Sequence, residues 1–493
     1  VSDNNRLSYE QRKAMYEQNI RDTDGRRHAD KLRDAPSAEI NGSKNKRPSG
    51  KHKAQRIELK PPKTAQSAPQ PASDGTAAKT ADVTAGSVIS ALRRKFPRVE
   101  APLMDYTPNS KRGRFDMPLF TVVLILIVMG IVMMSSASYA YALKEEGNSF
   151  AYAEKQLVAA VIGFVFMIIL SRVDYHIWTI PIKYFGRKRR EKAKNGNGLN
   201  PAMVFFVISC GLMVAVMLFG ESVNDAKRWI TVFGVQFQPS ELLKVACILL
   251  IAYMLQKNYE RRSSLWYGFF KYWFIIVPAA LLCCAQRHVS AMLIIMAIIL
   301  LMMYVGGCNT RGLLAIIALV ILGCFVLLYV VKWDYLTDRI TSWTQPFSDM
   351  GDTTYQTSQS LITIGSGGWF GLGLGNSRQK YYYLPESQND FVFSIICEEL
   401  GFFGGMTVIL LFVLFEIRGF IIAGKAKDKF GSLVALGITV QIGLQAILNI
   451  AVACNAIPNT GISLPFFSYG RSALLTQLAE VGILLSISKQ ADT

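Results

Sequence analysis

Apolar runs of about 20 residues recur along this chain, divided by polar segments, and they begin only after residue 116. A helix of about 20 apolar residues crosses a hydrocarbon core about 30 Å thick. The pattern predicts spans near residues 117–138, 154–171, 201–220, 240–256, 268–285, 288–306, 312–332, 390–415, 430–452 and 470–488. The expected fold class is all-α: a polytopic integral membrane protein of ten transmembrane helices, with a long loop between the seventh and eighth.

Lys and Arg set the direction of the chain, because cytoplasmic loops carry an excess of them. Lys111-Arg112-Gly113-Arg114, the run at residues 187–190, the loop with Lys257, Arg261 and Arg262, the turn at Arg311 and residues 425–429 all fall on one side if the spans number ten. Both termini are then cytoplasmic. The polar segments 221–240, 333–389 and 453–469 emerge on the outer face, and so does the long loop.

Composition narrows the class further. With 51% apolar and 18% charged residues, the chain does not read as a soluble two-domain enzyme. Its net charge of +18 is unevenly placed: residues 1–116 hold 24 Lys/Arg against 14 Asp/Glu and show no apolar period. This part reads as a disordered basic cytoplasmic tail, ahead of a membrane domain at 117–490. Such a tail fixes topology and brushes anionic lipid, or docks a partner. The cations are not interleaved with aromatics, which argues against nucleic acid. No cleavable signal peptide is visible, so the first span is expected to serve as the address. The eight cysteines, Cys210, Cys247, Cys283, Cys284, Cys308, Cys324, Cys397 and Cys454, lie in or beside apolar runs without metal-ligand spacing. They read as small core residues.

The polar residues inside or between spans carry the candidate chemistry. Lys244, Glu398, Glu399, Gln441, Gln445, Asn449 and Glu480 are costly in lipid unless they face a cavity or one another. Interhelical hydrogen bonding and a functional cavity both explain them singly; the pair Glu398 and Glu399 favours function. Lys227 and Arg228 beside Trp229 suit a diphosphate, and equally suit snorkelling cations next to an interfacial Trp. Gln238-Pro239-Ser240-Glu241 reads as a helix entry, with Ser240 as candidate N-cap. In the long loop, Asp349 and Asp352 stand between Pro346 and the pair Tyr355-Gln356. A carboxylate partly shielded from water has a raised pKa and can take a proton from a hydroxyl. The glycines from Gly365 to Gly375 match neither phosphate-binding fingerprint; they cradle phosphate or pack a tight loop.

Several motifs in fixed order make the chain resemble the SEDS family (shape, elongation, division and sporulation proteins), which contains FtsW, RodA and SpoVE, over roughly residues 117–490. These are Ser135-Ser136-Ala137-Ser138, NDAKRWI, QPSELLK, the stretch YQTSQSLITIGSGGWFGLGLGNSRQKYYYLPESQNDFVFSIICEELG and IPNTGISLPFFSYG. The last is closest to the FtsW and SpoVE branch. The resemblance implies a ten-helix peptidoglycan glycosyltransferase of the bacterial cytoplasmic membrane. It would polymerise lipid II on the outer face in cell division or shape maintenance, beside a class B penicillin-binding protein and other division or elongation proteins. It also implies that Asp349, three residues after Pro346, is catalytic. Lys227, Arg228, Trp229, Glu241, Gln356, Arg378, Lys380 and Glu398 become the expected substrate-binding set. The sequence departs from the family at Asp225, at Arg287-His288, at Thr353 and Thr354, and at Arg471.

On this reading an α-linked donor gives a β-linked glycan by inversion, with Asp349 as general base. The diphosphate leaving group needs charge from Lys227, Arg228 or Arg378, or from a divalent cation such as Mg or Mn. The rival readings are a transporter that flips the lipid precursor and a non-catalytic scaffold of the synthase.

Overall fold

The computed structural model describes residues 113–180 and 199–491, apart from 224–225, 233–234, 262–263, 311, 316, 319–333 and 349–353. The expected basic tail, the run at 187–190, most of the seventh span, Asp349 and Asp352 lie outside the described residues. The helices are α1 (Met117–Glu146), α2 (Ala151–Arg172), α3 (Pro201–Phe219), α4 (Pro239–Lys257), α5 (Trp273–Ala285), α6 (Val289–Val305), α7 (Asp334–Thr344), α8 (Tyr355–Ser366), α9 (Val392–Lys425), α10 (Lys429–Ala453) and α11 (Arg471–Ser488). Nine of them answer to nine of the expected spans; α7 and α8 belong to the long loop. The architecture is helical and polytopic, with α1, α2, α3, α4, α9 and α10 each long and apolar enough to cross a membrane.

Local chemistry sets the helix starts. Asp116 accepts a hydrogen bond from Leu119 N at 2.8 Å and caps α1, Asn200 does the same for Met203 N at 2.9 Å, and Asp428 takes Phe430 N and Gly431 N. Ser240 does not cap α4. Gln238 holds the N-cap position and Pro239 opens the helix, since proline's missing N–H costs nothing there. This puts Ser240 inside the first turn.

Burial divides the helices into shell and centre. α1, α2 and α3 turn Val128, Val158, Val161, Phe166, Val207 and Leu218 outward, the surface expected where lipid is the solvent. α4 is buried almost all round, and α10 and α11 share the centre. α11 lies against α2 so closely that a Cβ at Gly482 would stand 2.7 Å from Met167 O. Only glycine permits that approach.

α9 is interrupted at Gly401, whose φ of 70° and ψ of −167° are not helical. The 24 residues that follow rise about 36 Å, enough to cross the bilayer alone. The short segment before the break is free to serve the loop. Carbonyls released by the break are taken up by the glycine-rich stretch: Leu372 N donates to Glu398 O at 2.9 Å, Gly373 N to Glu399 O at 3.0 Å, and Phe402 N to Gly368 O at 2.8 Å. The glycines here pack backbone on backbone, one of the two roles the sequence left open.

Two ends of the bundle differ in chemistry. One end is tied by Asp116 to Arg418 and by a cluster after α2. His176 Nδ1 lies 2.7 Å from Asp174, its Nε2 lies 3.5 Å from Asp428, Tyr175 OH donates to Asp428, and Gln490 reaches Asp174 at 3.2 Å. Burial alone would lower the His176 pKa, but the two carboxylates outweigh it and lift it to about 9. Burial would raise Asp174, yet hydrogen bonds and the charge of His176 hold it at about 2. The stability contributed by His176 is therefore complete below about 6.5 and lost as pH rises through 9. That of Asp174 is complete above about 3.8 and lost as pH falls toward 2. Thermal unfolding in detergent should show a plateau between these limits. His176→Asn should lower stability by about 2 kcal/mol there and flatten the alkaline flank. An unchanged flank rejects the assignment.

Candidate active site

The opposite end of the bundle begins with a small antiparallel sheet, β1 (Glu221–Val223), β2 (Ala226–Val232) and β3 (Val235–Phe237), in the order β1-β2-β3. The sequence reading had this segment only as a loop. β2 pairs Trp229 with Glu221 and Ile230 with Phe237. Side chains alternate along a strand, so Lys227 and Trp229 share one face and Arg228 takes the other. Lys227 is exposed. Arg228 reaches away from it, and its Nη2 donates to Arg287 O at 2.5 Å. The two cations therefore do not form one clamp.

Arg228 leads to a hub at residues 459–461, in the segment between α10 and α11. Three residues after Arg287, Ser290 Oγ donates to Thr460 O. From α7, Arg339 Nη1 donates to Asn459 O. The Asn459 side chain donates to Gln356 Oε1, on the first turn of α8, at 3.1 Å, and its own oxygen accepts Gly461 N at 3.1 Å. Asp390, just before α9, brings Oδ2 to 3.6 Å from where a Cβ of Gly461 would sit, and Gly461 has a φ of 67°. Asn449 on α10 secures both strands of chain, donating to Asp390 O and Ile462 O at 2.7 Å each. One turn thus gathers groups from β2, α6, α7, α8, α9 and α10.

The polar inventory around this turn is incomplete in a telling way. Arg228 Nε, His288 Nδ1, Asn449 Oδ1 and Thr460 Oγ1 are buried without a protein hydrogen-bond partner. Buried polar atoms are nearly always paired, so a concentration of unpaired ones marks a place built for a polar ligand or solvent. Asp390 is only partly exposed. Its burial and then Glu386 push its pKa up, against the opposing charges of Arg339 and Arg228, to about 7. A carboxyl of that kind gains or loses a proton near neutral pH.

The other expected site residues fall in two buried networks. Glu241 and Lys244 pair within the first turns of α4 at 2.8 Å, both almost fully buried. Nearby in the centre, Gln441 Nε2 donates to Glu480 Oε1 at 2.6 Å. In the second network, Lys380 Nζ lies 3.1 Å from Glu399 Oε1, 3.0 Å from Ser136 Oγ and 2.6 Å from Gly375 O. Glu398 accepts Arg378 N at 3.1 Å and the Ser377 hydroxyl. These contacts tie the loop to α1 and α9. The Arg378 side chain itself is exposed, and Trp229 is partly buried on its own face of β2. Of the expected set, Arg228 and Gln356 reach the hub. Arg339, Asp390 and Asn459 were missed by sequence reasoning: each sits in a quoted motif or beside one, without a local pattern to single it out.

A polytopic helical membrane protein with a polar, arginine-bearing site at one end of the bundle is the class these observations define. The chain belongs to the FtsW/RodA/SpoVE family of cell cycle proteins, whose model matches residues 117–185 and 198–493. It is 35% identical to the probable peptidoglycan glycosyltransferase FtsW of Geobacter sp. strain M18, over 76% of this chain and 96% of that protein. It is 36% identical to the stage V sporulation protein E of Bacillus subtilis strain 168, over 77% and 99%. Among solved structures it has the fold of a chain from a study of polymerization and crosslinking by a peptidoglycan synthase complex, with TM-score 0.60, 23% identity, and coverage of 76% of this chain and 98% of that one. It also has the fold of the rod-shape-determining protein RodA of Thermus thermophilus, with TM-score 0.52, 24% identity, and coverage of 77% and 98%.

Proposed function

We propose that this protein is a peptidoglycan glycosyltransferase that polymerises lipid II on the outer face of the cytoplasmic membrane. The observation that carries the reading is full-length similarity to a relative of that name, 96% of which is covered at 35% identity. The hub supplies matching chemistry: arginine for a diphosphate, amides for sugar hydroxyls, and a carboxyl. In the reaction, the acceptor hydroxyl oxygen bonds to the anomeric carbon of the donor as that carbon's bond to the diphosphate breaks. The configuration inverts, the proton passes to Asp349, and the diphosphate leaves with the bonding pair. Arg228 is placed to meet its charge. Among the described residues no group of three or more His, Cys, Asp or Glu gathers to hold a metal ion, so no step is routed through one.

The partner in this reading is a class B penicillin-binding protein that crosslinks the new strand. Purified protein given labelled lipid II tests the activity. Polymer formed without ATP or an ion gradient supports it, translocation without polymer makes the protein a flippase, and neither makes it a scaffold. The orientation, with both termini cytoplasmic, has its own test. In a background without native cysteines, a thiol reagent added outside should modify a cysteine at position 352 and spare one at 190. The reverse pattern rejects it.

A further inference from the structure

Asp390 has no part in the mechanism just described, yet its surroundings are the most constrained at the hub. Its backbone carbonyl is held by Asn449. Its carboxyl has no hydrogen-bond partner among the described contacts, and it faces Gly461, where any side chain would be strained by the positive φ. The charged groups acting on it are Glu386 from its own segment, Arg339 from α7 and Arg228 from β2. α10 presents the uncharged Asn449, and the hub turn presents backbone. The anchors of the two arginines, Arg287 O and Asn459 O, are linked by the Ser290 to Thr460 hydrogen bond. An anion that binds the arginines therefore arrives beside Asp390.

We propose that Asp390 is a proton-coupled counter-ion of the anion subsite: its carboxylate balances Arg228 and Arg339, and it takes up one proton when a diphosphate docks against them. The diphosphate class rests on the function proposed above. The physical reason is charge balance. A diphosphate neutralises the field that favours the Asp390 anion and adds like charge next to it, so the proton follows from solvent. The neutral carboxyl then donates a hydrogen bond to a phosphate oxygen. Without that switch, Asp390 would repel the substrate it faces. The carboxyl already sits at about 7 without a ligand, so little further shift is needed.

The coupling has a signature that a purely structural carboxyl lacks. Isothermal titration of the full-length protein in detergent with farnesyl diphosphate, at pH 7.5 in two buffers of different ionisation enthalpy, reads proton uptake. Wild type should take up between about half a proton and one proton more than Asp390→Asn. Its affinity should fall on the order of tenfold more than the variant's between pH 6.5 and 8.5. Farnesyl monophosphate and inorganic pyrophosphate separate the sources: weaker coupling with the first and retained coupling with the second assign it to the diphosphate group itself. Equal proton uptake in wild type and Asp390→Asn overturns the proposal, as does pH-independent binding by wild type. If Asp390→Asn does not fold, Asp390→Ser replaces it, and absence of uptake in wild type still decides against the idea. Polymerisation of lipid II is scored separately. Coupled binding without polymer defeats the function and leaves this inference standing, and polymer without coupling does the reverse.

Discussion

Asp349→Asn should keep the protein folded and lipid II bound while turnover falls by roughly 100-fold or more. Positioned proton transfer contributes factors of about 100 to 10,000, and an amide cannot accept the proton. Asp352→Asn should be much milder, because Asp349 alone has the family's spacing, three residues after Pro346 and seven before Gln356. Gln356 is where that spacing meets the fold: it lies on the first turn of α8 and is held by Asn459 at the hub. Single-turnover polymerisation with labelled lipid II is the measurement. Near-normal synthesis by Asp349→Asn, or a collapse confined to Asp352→Asn, moves the base elsewhere.

The second large effect is expected on stability. Lys380→Met should cost about 3 to 5 kcal/mol, since it strands the Glu399 carboxylate in a buried site and leaves Gly375 O without its donor. Adding Glu399→Gln should recover most of the loss. The glutamine oxygen can still accept Ser136 Oγ and Ser377 N, at 2.6 and 3.2 Å from the present carboxylate oxygen, without an unbalanced charge. The temperature at which detergent-solubilised protein leaves its monodisperse peak reports both. A double variant no better than Lys380→Met alone rejects the ion pair as the source of the effect. These residues were candidates for binding substrate, and the same pair of variants, assayed for lipid II affinity, separates that role from scaffolding.

What the sequence made legible was what hydrophobicity writes locally. The apolar runs place α1 to α6 and α9 to α11 because burial in lipid and burial in protein both demand them. The bounds of α1 and α9 were drawn short, at 138 and 415, since their ends run on through polar turns to Glu146 and Lys425. Three short strands between two spans leave no such trace, and the sheet at 221–237 was therefore read as a loop. The hub was illegible for a different reason. Arg339 meets Asn459 across 120 positions, and Asn449 meets Asp390 across 59. Such contacts depend on how the helices are arranged, which no periodicity records. Motif resemblance supplied Asp349 and Gln356, and it supplied the glycines without showing that they cover the break at Gly401.

The pair formed by Glu241 and Lys244 bears on how the chain enters the membrane. The two residues are one turn apart on α4, so their 2.8 Å contact needs nothing but the helix itself. A lone charge at mid-bilayer costs about 3 kcal/mol on insertion scales, and α4 offers two before α10 and α11 have been made. Because they meet within their own helix, the insertion machinery receives a dipole in place of two separate ions. α4 can then wait in lipid, already discharged, for the later helices that will enclose it.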